Sequence, residues 1–126
     1  MARSTHFTTT TGAVTATLLP SASIFYGVAA TSAEAAAFYI KLWWEGTGTA
    51  PPALAGGPQA ATAAPIAGTT VPHLTLQVLT TGLVMSGLAE PLNMGGRIWY
   101  WVTAGAADNN STVLVAGGDV ITFIYD

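Results

Sequence analysis

The run Phe38-Tyr39-Ile40-Lys41-Leu42-Trp43-Trp44 constrains the chain more than any other stretch. Successive side chains of a strand point to opposite faces. As a strand, the run puts Phe38, Ile40, Leu42 and Trp44 on one face and Tyr39, Lys41 and Trp43 on the other. A second run, Arg97-Ile98-Trp99-Tyr100-Trp101-Val102-Thr103, sorts the same way, with Arg97, Trp99 and Trp101 on one side and Ile98, Tyr100 and Val102 on the other. Two such strands can build one core face while each keeps a second, cation-bearing face.

Shorter period-two stretches surround them. Val14, Ala16 and Leu18 alternate with Thr15, Thr17 and Leu19, and residues 24–28 follow the break at Pro20-Ser21. His73, Thr75 and Gln77 alternate with Leu74, Leu76 and Val78; residues 82–87 form a short apolar stretch. Residues 91–96 read as a turn-rich connection, and Asp108-Asn109-Asn110 as a turn. Residues 112–115 and 120–125 read as a closing pair joined by a Gly117-Gly118-Asp119 hairpin turn. Thr31-Ser32-Ala33-Glu34 matches a capping box before three alanines, which suits one helical turn or an Ala-rich connection. About eight short strands punctuated by Gly and Pro predict an all-β chain: an antiparallel β-sandwich of jelly-roll-like type, or a small barrel.

Two segments fall outside this pattern. Residues 1–12 are polar, Thr-rich and without hydrophobic period, so they are expected to form a flexible N-terminal arm. Residues 13–126 are expected to form one β-sandwich domain. Within it, residues 46–70 carry Pro51-Pro52, Gly56-Gly57-Pro58 and Pro65, and read as a long Gly/Pro-rich loop. Loops of this length either make functional contacts or are tolerated surface insertions.

Composition then excludes several classes. Only 7% of the 126 residues are charged, against about 25% in an ordinary domain, and the net charge is −3. Arg3, Lys41 and Arg97 are the only strong cations, too few to neutralise a run of phosphates, so no nucleic-acid partner is expected. Mean hydropathy is +0.50, and no Asp, Glu, Lys or Arg occurs over residues 4–33. Yet that stretch is broken by Thr, Gly12, Pro20 and Gly27, so neither a membrane span nor a signal peptide is expected. With no cysteine there is no disulfide framework and no thiolate chemistry.

The catalytic inventory is thin. His6 and His73 are the only imidazoles, and no metal or cofactor is expected from them. Glu45, Glu90, Asp108 and Asp119 fall near strand ends and could supply a carboxylate pair, but no nucleophile–base–orienter set can be assembled, so the chain is expected not to be an enzyme. The overlapping N-x-S/T patterns at Asn109 and Asn110 read as a turn. The candidate functional residues are aromatic. Tyr39, Trp43, Trp99 and Trp101, flanked by Lys41 and Arg97, are residue types in which interfaces concentrate binding energy, and the expectation is that these six meet a partner. The competing reading places the aromatics in the core with the cations snorkelling outward.

Phe38-Tyr39-Ile40-Lys41-Leu42-Trp43, the segment from Gly68-Thr69-Thr70 through Pro72-His73-Leu74-Thr75-Leu76, and Ala106-Ala107-Asp108 occur in the order seen in a group of small tailed-bacteriophage structural proteins, which this chain resembles. The resemblance spans residues 38–125 and leaves out the arm and residues 51–65. It implies a virion component, a capsid decoration (cement) protein at the capsid surface, with a major capsid protein as partner and a homotrimer as its assembly. A Thr-rich arm could add a strand to a partner's sheet edge. The alternative is a tail-associated or receptor-binding module that stacks carbohydrate on exposed aromatics.

Overall fold

The computed structural model describes residues 3–9, 16–19, 24–44, 66–85, 92–93 and 98–126. These residues are all-β, without a helix and therefore without one long and apolar enough to cross a membrane. Nine strands are defined among them: β1 (Arg3–Thr8), β2 (Thr17–Leu18), β3 (Ile24–Thr31), β4 (Phe38–Trp44), β5 (Leu74–Val78), β6 (Leu83–Met85), β7 (Leu92–Asn93), β8 (Ile98–Thr103) and β9 (Val120–Tyr125). All pairings are antiparallel. One sheet runs β1-β9-β3-β6, with β7 also on β3; the other runs β2-β8-β4-β5.

The sheets share one buried cluster. Phe25, Val28, Ile121 and Phe123 come from the first sheet; Phe38, Ile40, Leu42, Ile98 and Tyr100 from the second. The expected sorting of Phe38, Ile40 and Leu42 onto the core face holds, with Trp44 packed against its edge. Tyr100 and Phe123 meet across the core with ring centroids 4.7 Å apart. Each such fully buried side chain contributes about 1.5–3 kcal/mol, and Phe123→Ala, which also leaves a cavity, would cost about 3–5 kcal/mol.

The chain passes between sheets at tight points. The turn from β5 to β6 is one, closed by the Gly82 N–H donating to Leu79 O at 2.8 Å. Gly82 has φ +95°, and a Cβ there would stand 2.6 Å from Ala30 O, so no other residue fits without strain.

Two expectations need correction. Residues 3–8 of the expected free arm are a strand, paired with β9 from Arg3↔Tyr125 to Thr8↔Val120. The lock lies at the strand's end, where Thr9 Oγ1 donates to Asp119 Oδ2 at 2.6 Å and accepts from Asp119 N at 2.9 Å. Residues 112–115 are not a strand; the N–H groups of Val115, Ala116 and Gly117 turn instead to the Glu34 carboxylate. That use of Glu34 also settles residues 32–37 as a connection rather than a helical turn. Residues 45–65, most of the expected long loop, lie outside the described residues.

Candidate functional site

The outer face of the second sheet gathers the residues singled out by sequence. The β4–β8 register sets Lys41 opposite Trp101 and Trp43 opposite Trp99, with Tyr39 opposite Thr103. Tyr39, Lys41, Trp43, Trp99 and Trp101 therefore share one face, as the period-two pattern requires. Arg97 lies outside the described residues.

That face is not open. Trp43 is 0% and Trp101 1% exposed, and together they form a second buried cluster against Ala16, Ala67, Val71 and the half-buried Trp99. The reading of Trp43 and Trp101 as partner-facing is corrected: the chain covers them itself. Residues 66–70 are folded into a turn by Thr69 N and Thr70 N donating to Ile66 O and Ile66 N donating to Thr70 Oγ1. This turn places Ala67, with Val71 just beyond it, over the two indoles. His73 extends the stack, its ring 5.9 Å from that of Trp43 and 4.1 Å from that of Trp44. His73 Nδ1 accepts a 3.1 Å bond from Trp44 N, and burial holds its imidazole below the usual 6.5.

Lys41 marks the inside, not the solvent. It is fully buried, and its ammonium donates to Ala107 O at 2.6 Å and Asn110 O at 3.4 Å. The ammonium thereby pins the 104–112 loop over the sheet. Asn110 organises that loop in turn, its Oδ1 accepting from Gly105 N and Thr112 N at 3.1 Å each. Burial lowers the Lys41 pKa from 10.5, and the attraction of Asp108 offsets only part of this. Tyr39 is half-buried, its hydroxyl accepting from Gln77 Nε2 at 3.4 Å. The indole N–H groups of Trp43 and Trp101 are buried without a hydrogen-bond partner. Such donors cost about 1–3 kcal/mol each when left unpaired.

Sequence reasoning named Glu34 in a capping box and Asp119 among possible catalytic carboxylates, and missed that both hold loops. Asp119 is fully buried and accepts from Thr9 Oγ1 and from Ala33 N, the latter at 2.6 Å. Glu34 accepts from three successive backbone N–H groups: Val115 at 3.2 Å, Ala116 at 3.0 Å and Gly117 at 2.8 Å. The only sequence signal was the Gly117-Gly118 pair, whose φ values of +69° and +82° give the backbone curvature that gathers N–H groups around an anion. Of the carboxylates considered as a catalytic pair, Asp108 is exposed in the 104–112 loop, Asp119 sits in the Thr9 lock, and Glu45 and Glu90 lie outside the described residues. Among the described residues no three His, Cys, Asp or Glu side chains stand together to hold a metal ion.

Fold and site define, among the described residues, an all-β protein of antiparallel sheets in which Lys41, Trp43 and Trp101 bury part of the outer face of β4 and β8 as well as the core face. Comparison with protein-family models, curated proteins and solved structures finds no match for the chain.

Proposed function

We propose that the chain is a virion structural protein, a capsid decoration protein that binds a major capsid protein and copies of itself as a homotrimer, with its sheets arranged as a jelly-roll-like β-sandwich and with no catalytic role. The observation that carries this reading is where the charge goes. Glu34, Lys41 and Asp119 are all spent on the chain's own backbone and loops. The described surface is correspondingly apolar at Val115, Ile66 and Leu79, exposed by 85%, 58% and 52%. A surface with little charge to repel its own copies suits a protein packed among them.

The capsid contact is assigned to a sheet edge rather than to a free arm. β1 stands at the edge of its sheet, and its outer side offers backbone groups to a partner strand. The carbohydrate-stacking alternative drew on exposed aromatics, and Trp43 and Trp101 are inside the chain, so the decoration reading is preferred. The test is binding of the purified chain to purified capsids, with light scattering for its oligomeric state. Saturable binding in hundreds of copies per particle by a trimer is expected. A monomer that ignores capsids sinks the proposal.

A further inference from the structure

The three N–H groups at Val115, Ala116 and Gly117 already demonstrate what they recognise, because a carboxylate sits in them. Both Glu34 oxygens are used: Oε1 accepts from Ala116 and Gly117 at 3.0 and 2.8 Å, and Oε2 from Val115 and Ala116 at 3.2 and 3.1 Å. Val115 and Ala116 are exposed, so this nest opens to solvent. Beside it runs a groove of ≈ 270 Å³ whose walls include Ala33, Ala36, Phe38, Ala104, Leu114 and Val115. The groove and the nest share Glu34, Val115 and Ala116. An anion-recognising end therefore leads directly into an apolar trough.

We propose that the 115–117 nest and its groove form a docking site for the C-terminal carboxylate of an apolar peptide, which Glu34 fills in cis when no peptide is bound. A carboxylate at a chain end suits this geometry better than an Asp or Glu side chain. The terminal carboxylate is attached to the same Cα as its apolar side chain, so one group reaches the nest while the other enters the groove. In an acidic side chain the carboxylate is separated from the backbone by one or two methylenes, and polar peptide groups would then lie against the alanines. The nest supplies charge complementarity, since successive backbone N–H groups bind anions. Small alanine side chains leave the room. Glu34 is tethered nearby and competes at an effective concentration of about millimolar order, so a peptide must displace it.

The experiment follows the amide resonances of Val115, Ala116 and Gly117 in the isotopically labelled full chain. The probe is acetyl-alanyl-alanyl-valine with a free carboxylate, titrated into the wild type and into Glu34→Ala. Expected are saturable shifts of the three amides in Glu34→Ala, with affinity at least about tenfold weaker in the wild type because Glu34 competes. The peptide carboxamide should produce none. The absence of saturable shifts in Glu34→Ala overturns the proposal, as do equal affinity in the wild type or equal binding by the carboxamide. N-acetylglutamate amide binding as tightly as the tripeptide overturns the choice of a chain end. Glu34→Gln, which keeps the shape but removes the charge, is judged by the same criteria if Glu34→Ala does not fold.

Discussion

Thr9→Val deletes one hydroxyl and keeps the side-chain shape, so it isolates the contact that holds β1 against the rest of the chain. Thr9 is 7% exposed and Asp119 0%, which leaves little water to replace what is lost. Two hydrogen bonds disappear: the 2.6 Å bond from Thr9 Oγ1 to the Asp119 carboxylate, and the 2.9 Å bond from Asp119 N to Thr9 Oγ1. A hydrogen bond to a charged group contributes about 1.5–3 kcal/mol, and a buried N–H left unpaired costs about 1–3 kcal/mol. The carboxylate keeps its bond from Ala33 N, and the backbone bonds Thr9 N to Asp119 O and Gly118 N to Thr9 O survive. The expected destabilisation is therefore about 3–5 kcal/mol, or roughly 10–20 °C in Tm for a chain of this size.

Urea denaturation gives the global figure, and hydrogen exchange at the β1 amides shows whether that strand loosens first. A double-mutant cycle with Asp119→Asn should return a coupling of about 1–3 kcal/mol, because the residues are direct partners. A loss below about 1 kcal/mol with no coupling would refute both the buried lock and the placement of Arg3–Thr8 as a strand of this fold.

Further expectations concern pH and backbone strain. Burial holds Lys41 below 10.5, so between its folded value and 10.5 the unfolded chain binds the extra proton and stability rises with pH; Lys41→Met should abolish that rise in denaturation midpoints measured across the alkaline range. Tyr100 works in the opposite sense, since burial, partly offset by a hydrogen bond with Thr17, holds its phenol above 10.0 and stability falls as pH rises past that value. As pH falls below 6.5 the unfolded chain protonates before the buried His73, so stability declines there, and the His73 ring resonance should titrate below 6.5 by NMR. Gly82→Ala should cost about 1–3 kcal/mol from its positive φ alone, and more from the contact with Ala30 O, read as a lowered urea midpoint.

What was legible in the sequence was local. β4, β8 and β9 fall where the alternation puts them, and the division of β4 into a core face and a second face is correct. What was not legible was which faces get covered. Lys41 looked like a solvent marker because a lysine is seldom buried without a partner, and its partners are the carbonyls of Ala107 and Asn110, 66 and 69 residues away. The strand over residues 3–8 was hidden for the same reason: its lock, Asp119, is 110 residues from Thr9. Residues 112–115 had the β-branched, apolar content of a strand, yet the N–H groups of Val115, Ala116 and Gly117 are drawn to Glu34, 81 to 83 residues earlier. Strand-like composition predicts pairing competence, and only the tertiary fold decides which acceptor wins.

These distant contacts also explain how so few charges can suffice. A chain with little net charge normally risks losing specificity, because apolar strands pair with many partners. Here three ionisable groups, Lys41 and Asp119 buried and Glu34 half-buried, each fix one loop in one place: Lys41 holds the 104–112 loop, Asp119 joins the end of β1 to Ala33, and Glu34 fixes residues 115–117. Breaking the Lys41 or Asp119 contact leaves a buried polar group uncompensated, which penalises a shifted register in a way apolar packing does not. At Lys41 and Asp119, charge thus selects among strand arrangements from the inside.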